Sequence, residues 1–273
     1  MRQNDSRFTA PETPQVNQVA LAGLNYVAPT ELVELPSKGC FYPPDHPLYD
    51  KECVEIKQMT AKEEDILTSV SLIEKGVVLD YLIQNLLIDK NINAKTLLSG
   101  DRSAILLNAR INAYGADYEF EIPCTKCDSI VTVNHDLTTV KNKNIDFDNI
   151  FDEGCIKLVL PKTEALVRLK LLNEHEQNLL SKEVEKHNNM GLGDSPVTTF
   201  LRYIIYSING HINNNSSEFQ KFIENMPSMD VKFLRKKYAE FKPDVDFSCD
   251  IECNNCNHTE RRQMPITAQF FWP

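Results

Sequence analysis

Between Val77 and Ile88, Val78, Leu79, Leu82, Ile83, Leu86 and Leu87 recur at three- and four-residue steps. That spacing gathers them into one wide stripe and predicts a helix with a single buried face. Upstream, Thr60-Ala61-Lys62-Glu63 has the form of a capping box, in which the Thr hydroxyl and the Glu carboxylate satisfy orphan backbone N–H groups. A helix is expected to start there and run through Ile66 and Leu67. A third is expected from near Asp101 to Tyr114, ended by Gly115, since glycine most easily takes the conformation that stops a helix. Residues 35 to 115 therefore read as a mainly helical unit, opened by the turn-rich segment Leu35 to Pro44. Residues 1 to 34, with Pro11, Pro14 and Pro29 and little periodicity, read as an extended N-terminal arm.

The period then shortens to two. Tyr118, Phe120 and Ile122 alternate with Glu119 and Glu121, the signature of a half-buried strand. Cys124-Thr125-Lys126-Cys127 interrupts it before Ile130, Val131 and Val133 resume strand-like composition. Lys141 to Asp148 reads as a polar linker. Beyond it, Ile156 to Leu160 and Leu166 to Leu171 read as strands, and Asn173 as the cap of a helix to about Lys186. Ser195-Pro196 should open a helix through Ile208, followed by shorter helices over about 217 to 225 and 229 to 241. Strand character returns at Val245 to Ile251, and Cys253-Asn254-Asn255-Cys256 interrupts it in turn. The two strand–CxxC–strand segments resemble each other.

Four thiolates in two CxxC pairs are the tetrahedral set that zinc takes in ribbon sites, and a tight turn lets both sulfurs of a pair face one ion. Between Cys127 and Cys253 lie 253 − 127 − 1 = 125 residues, where ordinary ribbons have roughly 15 to 20. Lengthening the loop about eightfold costs on the order of 2 kcal/mol in closure entropy. Zinc binding contributes roughly 10 to 16 kcal/mol, which outweighs that cost. The expected architecture is α+β: the helical unit, then a four-cysteine zinc ribbon interrupted by an inserted domain of mixed α/β character. The ribbon and C-terminal tail take residues 116–140 plus 245–273, and the insert takes 141–244. One structural zinc ion held by Cys124, Cys127, Cys253 and Cys256 is expected; four protein ligands leave no open position for substrate. Two redox pairs or two unrelated buried pairs are the alternatives, and His258 could replace one ligand. Cys40, Cys53, Cys155 and Cys249 have no site-like spacing, and most should be small buried side chains.

Charge and composition narrow the function. With 29 Lys plus Arg against 39 Asp plus Glu, the net charge of −10 argues against nucleic acid as a partner. Neither a secretory h-region near the N-terminus nor an apolar run long enough for a membrane span is expected. An unsecreted chain uses cysteine for metal more readily than for disulfides. No phosphate loop, dinucleotide fingerprint or H-E-x-x-H appears. Gly191-Leu192-Gly193 reads as a hinge, and His175 between Glu174 and Glu176 reads as part of a helix start with acidic residues suited to the dipole. No enzyme and no small-molecule substrate are expected, although a hydrolytic site assembled only in three dimensions would leave no such trace.

Several segments resemble the baseplate hub proteins of T-even-like contractile-tailed bacteriophages. They are Leu35-Pro36-Ser37-Lys38-Gly39 with Phe41-Tyr42-Pro43, and the run Met59 to Ser69. Gly100-Asp101-Arg102, the run Ala109 to Tyr118, both CxxC pairs and Phe270-Phe271-Trp272-Pro273 belong with them. The resemblance spans about residue 20 to the end, more loosely over 140 to 240. It implies a structural subunit of the virion's tail baseplate, made in the host cytoplasm and bound to other baseplate and tail proteins. The rival within that class is a transient assembly chaperone. A zinc-ribbon nucleic-acid adaptor using Lys126, Arg261 and Arg262 is the alternative from another class. Phe41, Tyr42, Phe270, Phe271 and Trp272 are the candidate partner contacts, because aromatic residues enrich interface cores.

Overall fold

The computed structural model describes residues 27–145, 151–189, 196–266 and 268–271. It is α+β, built from helices and small antiparallel sheets. Strand β1, Thr30–Glu34, pairs with β2, Cys53–Lys57, in the register Glu34↔Cys53 to Thr30↔Lys57. The last residues of the expected arm and the first stretch after the turn-rich segment thus form a hairpin. Its short alternation buries Val33, Val54 and Ile56 on one side, a pattern too brief to stand out beside the helical stripes. Residues 1–26 of the arm lie outside the described residues.

Helices α1, Ala61–Leu67, α2, Val70–Glu74, and α3, Val78–Leu86, follow. The reach-back half of the capping box is present: the Glu63 carboxylate accepts from the Thr60 backbone N–H at 3.0 Å. The α3 stripe turns Leu82, Ile83 and Leu86 inward, as its spacing predicts. Helix α4, Ser99–Tyr114, ends on Gly115 at φ +86°.

Strands β3, Asp117–Pro123, and β4, Ile130–Asp136, make the first CxxC hairpin. The expected linker then contains β5, Lys141–Asn142. Next come β6, Phe151–Asp152, β7, Cys155–Val159, and β8, Leu166–Leu169, then α5, Glu174–Asn189, and α6, Pro196–Ile204. Asn173 caps α5, its Oδ1 accepting from Glu176 N–H at 2.9 Å while its own N–H donates to the Glu176 carboxylate. The helix expected to reach Ile208 stops at Ile204. Ile205–Ile208 is strand β9, which pairs with β8 and, through a turn at Asn209 (φ +48°) and Gly210 (φ +83°), with β10, His211–Ile212. Asn-Gly suits that hairpin turn, and β-branched Ile gains more from the pleated sheet than from another helical turn. The sheet runs β10-β9-β8-β7-β6, all antiparallel. Ser195 and Gly191 to Gly193 lie outside the described residues.

Helices α7, Ser217–Glu224, and α8, Ser228–Phe241, match expectation. Strand β11, Val245–Asp246, returns to pair with β5 (Asn142↔Val245, Lys141↔Asp246), which brings the two ends of the long intervening segment together. Strands β12, Ser248–Glu252, and β13, Thr259–Gln263, form the second CxxC hairpin, and a 3-10 turn covers Ala268–Phe271. Buried apolar side chains from Val33 to Phe271 make one contiguous cluster, shared by the helices, the hairpins and the intervening sheet.

Candidate metal centre

Period-two alternation delivers the first cysteine of each pair to the inside. Tyr118, Phe120 and Ile122 face inward on β3, and the next residue of that parity is Cys124. On the second hairpin Cys249, Ile251 and then Cys253 follow the same rule. The two turns are built alike. Cys124 N–H donates to Ser129 O at 2.9 Å and Cys253 N–H to His258 O at 2.9 Å. Asp128 N–H returns to Cys124 O at 3.0 Å and Asn257 N–H to Cys253 O at 2.8 Å. Asp128 (φ +56°) and Asn257 (φ +51°) both take the left-handed conformation that closes the turn, which Asp and Asn tolerate better than most residues.

The Sγ atoms of Cys124, Cys127, Cys253 and Cys256 all lie within 4.8 Å of one another. Cys124 Sγ approaches Cys256 Sγ at 3.7 Å and Cys127 Sγ approaches Cys253 Sγ at 3.7 Å, so these contacts run between hairpins. An ion with about 2.3 Å bonds to four tetrahedral sulfurs needs them about 3.8 Å apart. The group can therefore hold one metal ion. His258 contributes its backbone carbonyl to the turn, and its side chain is not part of the four-cysteine cluster.

The electrostatics are uneven. The Ser129 hydroxyl lies 2.9 Å from Cys127 Sγ and 3.4 Å from Cys253 Sγ. Hydrogen bonding from Ser129 pulls the Cys127 thiol down to about 6. Desolvation, reinforced by the neighbouring thiols, pushes Cys256 up to about 12. Four sulfurs this close resist ionising together, and a cation bound among them would let all four act as thiolates.

Polar contacts also tie the hairpins together. Thr125 Oγ1 donates to the Glu260 carboxylate at 2.8 Å, and Arg262 donates to Pro123 O at 2.7 Å. Within the C-terminal segment, Arg261 of β13 pairs with Asp246 of β11 at 3.0 Å. Two of the three cations invoked for a nucleic-acid adaptor are thus engaged within the chain.

The remaining sequence candidates divide. Phe41, Tyr42, Phe270 and Phe271 are between 0% and 8% exposed, so these aromatics pack the chain's own core and present no free contact surface. Phe270 meets Tyr118 edge to face at 5.0 Å and Phe271 at 5.4 Å. Trp272 lies outside the described residues. Cys155 and Cys249 are buried as expected, but Cys40 is half-buried and Cys53 is exposed on the edge of its hairpin.

Asp101 and Arg110 do more than their places in the sequence suggest. The buried Asp101 carboxylate accepts from Ser37 N–H at 3.0 Å, Ser37 Oγ at 2.6 Å and the Tyr42 hydroxyl at 2.7 Å. Burial pushes its pKa up, and the hydrogen bonds from Ser37 and Tyr42 oppose the shift. Arg102 pairs with Asp80 at 2.7 Å and Glu174 at 3.4 Å. Arg110, fully buried, donates to the carbonyls of Phe270, Gly115 and Asp117. Reading Asp101-Arg102 only as a helix start missed these ties. The available signal was polar Ser37 and Tyr42 standing inside an otherwise apolar and turn-forming segment.

No curated protein and no solved structure matches the chain. One family model matches residues 31–272, which takes in the β1–β2 hairpin, the Asp101 and Arg110 ties and both cysteine turns. By that match, which covers most of its length, the chain belongs to the T4 bacteriophage base plate protein family.

Proposed function

We propose that the chain is a structural subunit of the hub region of a phage tail baseplate, acting through protein–protein contacts and without a catalytic step. The observation that carries this reading is the family match over 31–272. The charged residues of the shared motifs support it: Asp101, Arg102 and Arg110 are all engaged in contacts inside the fold. Its partners are other baseplate and tail proteins, and its place is the virion tail, after assembly in the host cytoplasm. Cys124, Cys127, Cys253 and Cys256 hold one structural zinc ion, which closes a ribbon around an insert spanning about 141–244. With all four positions filled by protein, the ion supplies cross-linking and no Lewis-acid chemistry.

Quantitative mass spectrometry of purified tails tests the reading. A fixed copy number per tail, with cross-links to hub subunits, is the expected result. Absence from mature tails, with presence in assembly intermediates, would replace the structural role with that of a transient assembly chaperone.

A further inference from the structure

Away from the cysteine centre, helices α6, α7 and α8 surround an open recess of about 680 Å³. Its floor takes apolar surface from Val197, Leu201, Ile223, Met226 and Val231, with Thr198 and Ser228 beside them. Along one lip, α8 carries Lys232, Arg235 and Lys236, all exposed. Their spacing of three and four residues puts them on one helix face, about one turn apart. Neighbouring cations are engaged: Lys237 with Glu240, Lys242 with Asp244 and Arg202 with Glu183. The three on the lip have no ion-pair partner among the described residues, although the chain as a whole carries ten excess negative charges. In an acidic protein, self-neutralisation would be the simplest arrangement, and among the described residues that line the recess Glu224 is the one acidic side chain.

We propose that this recess is a docking groove for an acidic amphipathic helix supplied by another protein. The apolar floor would take residues at i, i+3, i+4 and i+7 of the incoming helix. Its flanking Glu or Asp residues would meet Lys232, Arg235 and Lys236. Such charges at the rim steer encounter and select the partner more than they add affinity. The groove is open on one side, which suits a chain segment better than the enclosed cavity typical of a small ligand.

The probe is a fluorescent peptide of about 18 residues, long enough to hold some helix by itself. It carries Leu at the four anchor positions and Glu on the flanks. Fluorescence anisotropy with the full chain should give saturable binding that weakens as salt is raised. The triple variant Lys232→Glu, Arg235→Glu, Lys236→Glu should bind about tenfold or more weakly, a loss of about 1.4 kcal/mol. A scrambled peptide of the same composition, without the apolar stripe, should bind at least as poorly. Thermal melting of the variant checks that its fold is retained; if it fails to fold, Lys236→Glu alone, on the exposed lip, should weaken binding in the same direction. Equal binding of a Lys-flanked peptide, indifference to the charge reversals, or occupancy by inorganic tripolyphosphate in place of the peptide would each overturn the proposal.

Discussion

Arg110 sits fully buried on α4 and gives its guanidinium N–H groups to backbone carbonyls, with Phe270 O at 2.7 Å, Gly115 O at 2.7 Å and Asp117 O at 3.1 Å. One side chain thereby joins the end of α4, the start of β3 and the C-terminal turn. Arg110→Met keeps the apolar stem but strands three acceptors, and an unsatisfied buried acceptor costs about 1–3 kcal/mol. The expected loss is about 3 kcal/mol, read as a lowered urea midpoint; a loss under about 1 kcal/mol would show that the carbonyls find other donors. Glu63 provides a pH signature. Burial pushes its carboxyl up, but hydrogen bonds from Lys57 and Thr60 outweigh burial and hold it below its ordinary value. A depressed carboxylate stabilises the fold fully above its unfolded pKa of about 4.3 and loses that contribution as pH falls through the folded value. The stability gap between wild type and Glu63→Gln should therefore be constant from neutral pH to about 5 and close below about 4. Denaturant titrations of both proteins at each pH would measure it, and a gap that persists at low pH would remove the ion pair from the account.

Between elements, Gly100 marks a close backbone approach. A Cβ there would lie 2.2 Å from Pro243 O and 2.8 Å from Asp244 Cα, both backbone atoms that cannot rotate away. Glycine at the start of α4 thus lets the chain pass close by just before it enters β11. Gly100→Ala sets a helix-propensity gain of up to about 1 kcal/mol against overpacking of about 1–3 kcal/mol. The clash should win, with a net loss of about 1–2 kcal/mol and faster hydrogen exchange at Val245 and Asn142. An alanine variant more stable than wild type would mean that the 243–244 backbone yields freely. Residues 205–208 show why element type can escape a local reading. Ile204 and Ile205 continue an apolar run that a helix could bury, yet strand β8 and the Asn209-Gly210 turn offer the segment a ladder instead.

At the scale of the whole molecule, the two cysteine turns lie far apart in sequence but share one cluster of sulfurs. The β5–β11 pairing already joins the ends of the segment between them, so most of the loop-closure cost is met by the folded chain. Metal analysis should find one zinc per chain, and Cys253→Ser should lose it. The variant should melt roughly 10 °C lower or more, since about 1 kcal/mol shifts a chain of this size by roughly 2–4 °C. Protease should then cut first within 117–136 and 248–263, where the two hairpins lose their common tie. An unchanged melt with full secondary structure would sink the zinc reading.

Sequence by itself determined the features that depend on near neighbours. The α3 stripe, the Thr60 and Asn173 caps, the Gly115 stop and the inward parity of Cys124 and Cys253 all follow from local spacing, because helix and strand periods are properties of the backbone. The paired CxxC spacing picked out, for the same reason, the four cysteines whose sulfurs cluster. Tertiary structure decided what depends on distant partners. It turned Thr30–Glu34 from arm into strand and drew Phe41, Tyr42, Phe270 and Phe271 into the core. It gave Asp101 and Arg110 their partners, 64 residues away at Ser37 and 160 residues away at Phe270. A side chain's burial and its hydrogen-bond partners are set by which surfaces meet, and pairings across such separations leave no period in the chain to read.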